Sequence, residues 1–79
     1  MDKIEKFLLK LSKKDRQTFV KIFKDILILN LENYDVKTIK EYKDFYRLRK
    51  GKIRIIFIKR NNQGLVINIA YRKDIYKEL

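Results

Sequence analysis

The chain has 79 residues, a formal net charge of +11 and 46% apolar residues, and it contains neither cysteine nor histidine. That length fits one small domain, residues 1–79, burying about 60% of its unfolded surface. Disulfides and thiolate metal sites are excluded, and so are the usual general base and the commonest metal ligand. Acid–base chemistry is left to Tyr, Lys, Asp, Glu and Arg.

A charge of this size on so short a chain favours a polyanionic partner: nucleic acid, an anionic membrane surface or an acidic protein. No apolar run approaches the roughly 20 residues that a membrane-spanning helix needs. The N-terminal MDKIEKFLLKLSKK is too charged for a signal peptide. The expectation is a cytoplasmic protein with no membrane partner.

Ile4, Phe7, Leu8 and Leu11 follow the i, i+3, i+4, i+7 spacing of an amphipathic helix. Ser12, with Asp15 three residues on, resembles a capping box and starts a second helix near Lys13. Phe19, Ile22, Phe23 and Ile26 share its apolar face, and Lys14, Arg16, Lys21, Lys24 and Asp25 lie towards the opposite side. The joint is short, so the pair reads as a helical hairpin ending at Asn30 or Asn33. Tyr34 to Lys43 has weak periodicity and reads as a loop.

From Tyr46 the period changes to two. Tyr46 and Leu48 point one way, and Arg47 and Arg49 the other. Gly51 permits a tight turn, and Asn61-Asn62-Gln63-Gly64 signals a second. Alternation then gives a three-stranded antiparallel meander. Its apolar face carries Tyr46, Leu48, Ile53, Ile55, Phe57, Leu65, Ile67 and Ile69, which the helical hairpin covers. Lys73 to Leu79 reads as a short terminal helical turn. The fold class is α+β: an N-terminal helical hairpin packed on a three-stranded antiparallel sheet with a short C-terminal helical turn.

The uncovered face aims Arg47, Arg49, Arg54 and Arg72 at one surface. Guanidiniums are forked, permanently charged donors matched to phosphate oxygens, and a cluster of them repels itself. A solvated basic sheet face is the plain alternative to phosphate or nucleic-acid binding. Tyr71 and Tyr76 flank the cluster, either as half-buried packing residues or as stacking and proton-transfer groups. Lys50, Lys52, Lys73 and Lys77 enlarge the electrostatic footprint. There is no Gly-rich phosphate loop, and Asp44, Asp74 and Glu78 are scattered rather than clustered for a metal. No metal and no cofactor are expected.

YRLRKGKIRIIF, a turn, and then LVINIAYRKDIYKEL together resemble the RelE/ParE superfamily of bacterial type II toxins. KKDRQTF at the second helix and VKTIKEYKDFYRLR leading into the sheet match as well, so the likeness covers nearly the whole chain. The resemblance implies a toxin that cleaves messenger RNA without metal, usually on the ribosome, and thereby inhibits translation. Its implied partners are mRNA, the ribosome and a cognate antitoxin, with which it would form a hetero-oligomer. Carried across by position, the implied catalytic residues are Arg47, Arg49, Arg54, Arg72 and Tyr76, with Lys50, Lys52, Tyr71, Lys73 and Lys77 as RNA-binding neighbours. A ParE-like inhibitor of DNA gyrase and a non-catalytic basic RNA-binding module stay open beside it. Two features depart from the family pattern. The chain starts at the first helix, without the usual preceding strand, and Tyr71 stands where many relatives have His.

Overall fold

Asp2 and Ser12 start the two helices by the same device. In this computed structural model, which describes residues 2–73, the Asp2 carboxylate accepts from the Glu5 N–H at 2.9 Å and the Ser12 hydroxyl from the Asp15 N–H at 3.1 Å. Each bond satisfies a backbone donor that the first helical turn leaves without a partner. The helices are α1, Lys3–Leu9, and α2, Lys13–Leu27. Arg16 does not sit free on the solvent side as the helical pattern expects. Its Nε donates to Leu8 O at 3.1 Å, and its Nη2 to Leu9 O at 3.3 Å and Leu11 O at 3.1 Å. A side chain of α2 thus caps the carbonyl end of α1 and fixes the hairpin.

α2 closes with two reversed bonds, Leu29 N–H to Ile26 O at 2.9 Å and Asn30 N–H to Asp25 O at 2.8 Å. This is the Schellman pattern, which needs a left-handed residue just past the cap. Leu29 fills that place at φ 58°, and its side chain packs against the core.

The sheet has four strands, and this corrects the three-stranded expectation. β1 (Asp35–Thr38), β2 (Phe45–Lys50), β3 (Ile53–Arg60) and β4 (Gln63–Tyr71) are antiparallel in the order β1-β2-β3-β4. The additional strand lies within the stretch read as a loop. It has four residues and one inward apolar side chain, Val36, so it carries too little periodicity to be visible alone. Pairing with β2 decides it. The expected terminal helical turn is not supported either: Arg72 and Lys73 form a turn, and the rest of that segment lies outside the described residues.

Both sheet hairpins on β3 have two-residue loops. Asn61 and Asn62 have φ 53° and 63° between the paired Arg60 and Gln63, the signs of a type I′ turn. Gly51, at φ 60°, opens the Gly51-Lys52 loop between Lys50 and Ile53.

A bulge in β4 changes which residues face the helices. Ile56 pairs with Asn68 but Phe57 with Val66, so Ile67 has no partner across the ladder. Strict alternation had placed Leu65 and Ile67 in the core. Val66 packs there instead, and Leu65 and Ile67 are exposed. Gly64 comes inward under α2. A Cβ built on it would stand 2.2 Å from Ile26 O, so the close approach of helix and strand requires glycine.

The main core lies between the helices and the sheet: Phe19, Ile22 and Ile26 of α2 against Leu48, Ile53, Ile55, Phe57 and Ile69. Burying each such side chain contributes roughly 1.5–3 kcal/mol. A smaller cluster of Ile39, Ile56 and Ala70, flanked by Phe45, sits on the other side of the sheet.

Candidate nucleic-acid interface

Strand register determines which basic residues meet. Arg49 of β2 and Arg54 of β3 are direct cross-strand partners, and Asp35 and Ala70 complete that row on β1 and β4. Two residues along, a second row holds Lys37, Arg47, Ile56 and Asn68. In the other direction Arg72 N–H bonds to Lys52 O at 2.8 Å, extending the ladder past Tyr71. Lys52 and Arg72 are turn residues at the end of the sheet nearest Arg54. The cations therefore run obliquely across the sheet, from Arg72 and Lys52 at its β3–β4 end, through Arg54 and Arg49, to Arg47 and Lys37 at β2–β1.

The face that carries Arg54 is not the open arginine surface that alternation alone suggests. Its centre is closed: Ile56 is fully buried, Arg54 is 2% exposed and Asn68 5% exposed. The Arg54 Nη1 donates to Gly51 O at 3.2 Å, tying the guanidinium to the β2–β3 turn. Asn68 Oδ1 accepts from the Ile69 N–H at 2.9 Å, within the strand beside the bulge. Arg49 is exposed, and its Nε lies 2.8 Å from Asp35 Oδ2. Arg47 is half-buried; Lys37, Lys52, Arg72 and Lys73 are exposed. The accessible cations form a rim around a closed centre.

The remaining expected site residues divide between the two sides of the sheet. Lys50 and Tyr71 pair with Ile53 from either side, which puts them on the helix-facing side, opposite Arg49 and Arg54. The Tyr71 ring lies 5.3 Å from the Phe7 ring at 56°, and the residue keeps 45% of its surface. Lys52, Tyr71, Arg72 and Lys73 line one concavity at this end of the sheet. Tyr76 and Lys77 lie outside the described residues. Among those described, no three His, Cys, Asp or Glu residues form a group fit for a metal ion, and no helix is long and apolar enough to cross a membrane.

Asp35, Ile39, Lys37 and Lys40 belong to this surface and were missed in the sequence. The available signal was the Val36–Thr38 alternation and the pair of β-branched residues, which mixed polarity on either side conceals.

No protein-family model matches the chain, and no curated protein matches it in sequence. A solved structure does. The fold resembles that of a chain in the crystal structure of the RelB–RelE antitoxin–toxin complex from Methanococcus jannaschii. The two chains share 24% identity over 91% of this chain and 87% of that one, with a TM-score of 0.71. The α+β arrangement is therefore one found in a chain of a toxin–antitoxin complex.

Proposed function

We propose that this protein is the toxin of a toxin–antitoxin pair and a metal-independent endoribonuclease acting on mRNA. The observation that carries the reading is the oblique line of cations across the sheet, with Arg49 and Arg54 as direct partners and Arg72 beside Lys52. The fold it shares with a chain of an antitoxin–toxin complex and the motif likeness of its C-terminal half support the same reading.

The chemistry is attack of an RNA 2′-hydroxyl on its own 3′-phosphate. The 2′-O–P bond forms, the P–O5′ bond breaks, one proton leaves the 2′-hydroxyl and one reaches the departing 5′-oxygen. Products are a 2′,3′-cyclic phosphate and a 5′-hydroxyl. Arg72 at the rim meets the dianionic phosphorane, and Arg54, buried beneath the face and tied to Gly51 O, adds fixed positive charge from below without contact. Tyr76 or a basic neighbour takes or gives a proton. Arg49 positions the backbone once the RNA phosphate competes with Asp35 for its guanidinium.

Programmed ribosomes incubated with the purified protein test this. At the magnesium level that keeps ribosomes intact, cleavage should be insensitive to a transition-metal chelator, yield 5′-hydroxyl ends, and fall by 100-fold or more in Arg72→Ala. Undiminished cleavage by both Arg72→Ala and Tyr76→Phe removes the site assignment. Intact mRNA with a folded, antitoxin-free protein removes the enzymatic reading.

A non-catalytic RNA-binding module is the second reading. The Asp35–Arg49 ion pair and the burial of Arg54 favour it, because both guanidiniums are engaged before any RNA arrives. RNA retention without cleavage would select it.

A further inference from the structure

The β1 end of the cationic line has a different electrostatic character from its middle. In the row of Asp35, Arg49 and Arg54, the Asp35 carboxylate lies 2.8 Å from Arg49 and offsets one of the two guanidiniums. In the next row Lys37 stands directly opposite Arg47, two like charges across one ladder. Such pairs are destabilising when left alone. Neither forms an ion pair with a carboxylate among the described residues. The fold therefore brings two cations together where it could have placed a neutralising acid, as it does one row away.

The same two residues line a concavity of about 400 Å³ with Thr38, Ile39, Lys40 and Glu41. Its floor is rigid. Ile39 is buried against Ile56 and Ala70, and its N–H bonds to Phe45 O at 3.0 Å. The turn beyond is held by Tyr42 N–H to Ile39 O at 3.2 Å and Phe45 N–H to Tyr42 O at 3.4 Å, with the Tyr42 and Phe45 rings 5.4 Å apart. Lys37, Lys40 and Arg47 thus surround a fixed hollow with three positive charges against the single Glu41.

We propose that Lys37, Lys40 and Arg47 form a docking subsite for a backbone phosphate of single-stranded RNA at the β1 edge of the face, away from Arg72. Three strand spacings across and four residues along separate Lys37 from Arg72, a diagonal of roughly 19 Å. An extended RNA strand laid along the cations spans that distance over several nucleotides. The subsite holds the strand in register while chemistry proceeds at the other end. The inference rests on the reading of this face as an RNA surface, but not on cleavage.

The test uses a 2′-O-methyl oligonucleotide, which cannot be cut, and measures binding from 50 to 300 mM salt. Lys37→Ala/Lys40→Ala is compared with Lys6→Ala/Lys10→Ala, which removes the same charge from exposed positions in α1 and at its C-terminal cap. Circular dichroism confirms folding of both; Lys37 and Lys40 are exposed, and Lys37→Arg/Lys40→Arg retains the charge. The subsite variant should bind at least tenfold more weakly at 100 mM salt and lose about 0.7 from the log–log salt slope per phosphate released. The control should lose less than threefold, and the arginine variant should bind like the parent. Equal losses in subsite and control variants overturn the proposal, since net charge alone then explains them. So does an equal response with polyglutamate, which would make the hollow an acidic-protein site, or no binding of the oligonucleotide by the parent chain. Intact RNA in the ribosome assay with the predicted binding differences sinks the nuclease reading and leaves the subsite standing.

Discussion

Asp35 holds Arg49 across the β1–β2 ladder, with Oδ2 2.8 Å from Nε. This pairing is the feature that most constrains Arg49, because the guanidinium must exchange a carboxylate for a phosphate to act on RNA. Asp35→Asn should therefore tighten RNA binding severalfold at low salt. The pair is partly exposed, so the change should cost at most about 1 kcal/mol of stability. Anisotropy titrations and urea unfolding measure the two effects; unchanged affinity would show that Arg49 does not meet RNA.

Arg16 makes three hydrogen bonds to carbonyls at the end of α1 and in the link beyond it, Leu8, Leu9 and Leu11. Arg16→Met keeps much of the aliphatic stem and removes the donors. The expected loss is about 1–3 kcal/mol, in the range for hydrogen bonds from a charged group. Hydrogen exchange should show faster exchange across α1 than across β3. A uniform change across both would mean that the hairpin does not depend on this cap.

Gly64→Ala should be among the most damaging single-methyl changes in the chain. The added carbon meets a backbone carbonyl at 2.2 Å, and that carbonyl belongs to the buried Ile26. Overpacking of this kind costs about 1–3 kcal/mol. Shortening the Ile26 side chain to Val should not restore the loss, since the obstacle is main chain. Chemical denaturation of the single and double variants decides this.

Stability should depend on pH through Lys21, Asp25 and Tyr34. The Tyr34 hydroxyl donates to the Asp25 carboxylate, and Lys21 Nζ lies 3.0 Å from the same oxygen. The Tyr34 bond, followed by that from Lys21, holds the Asp25 carboxyl below the usual carboxylate range. Its contribution is thus complete above the unfolded carboxylate value, about 3.9, and is lost as pH falls through the lower folded value. The bond to Asp25 raises Tyr34, and the bond to Asp25 raises Lys21. Their contributions are complete below about pH 10 and lost as pH rises through the folded values. Tyr34→Phe should flatten the acid limb of a Tm–pH curve and weaken the alkaline limb. An unchanged acid limb would mean that Asp25 does not rely on Tyr34.

Local sequence carries much of this fold. Residues three and four apart in α1 and α2 give the helical faces, Ser12 gives the start of α2, and alternation from Tyr46 gives β2 and most of β3. Gly51 and the Asn61-Asn62 pair mark the two hairpins on β3. These features are legible because each is set by residues within one turn or one pleat. The separation of Arg47, Arg49 and Arg54 from Leu48 and Ile55 follows from the same two-residue period.

Tertiary structure alone decided the rest. β1 exists because β2 offers it a ladder and Arg49 offers Asp35 a charge, and neither partner is near it in sequence. The bulge at Ile67, which exchanges Val66 for Ile67 in the core, answers to the fit of β4 against β3 and α2. Burial of Arg54 likewise depends on surroundings that alternation does not specify. A periodic pattern determines which way a side chain points; which groups stand opposite it, and whether water still reaches it, depends on segments distant along the chain.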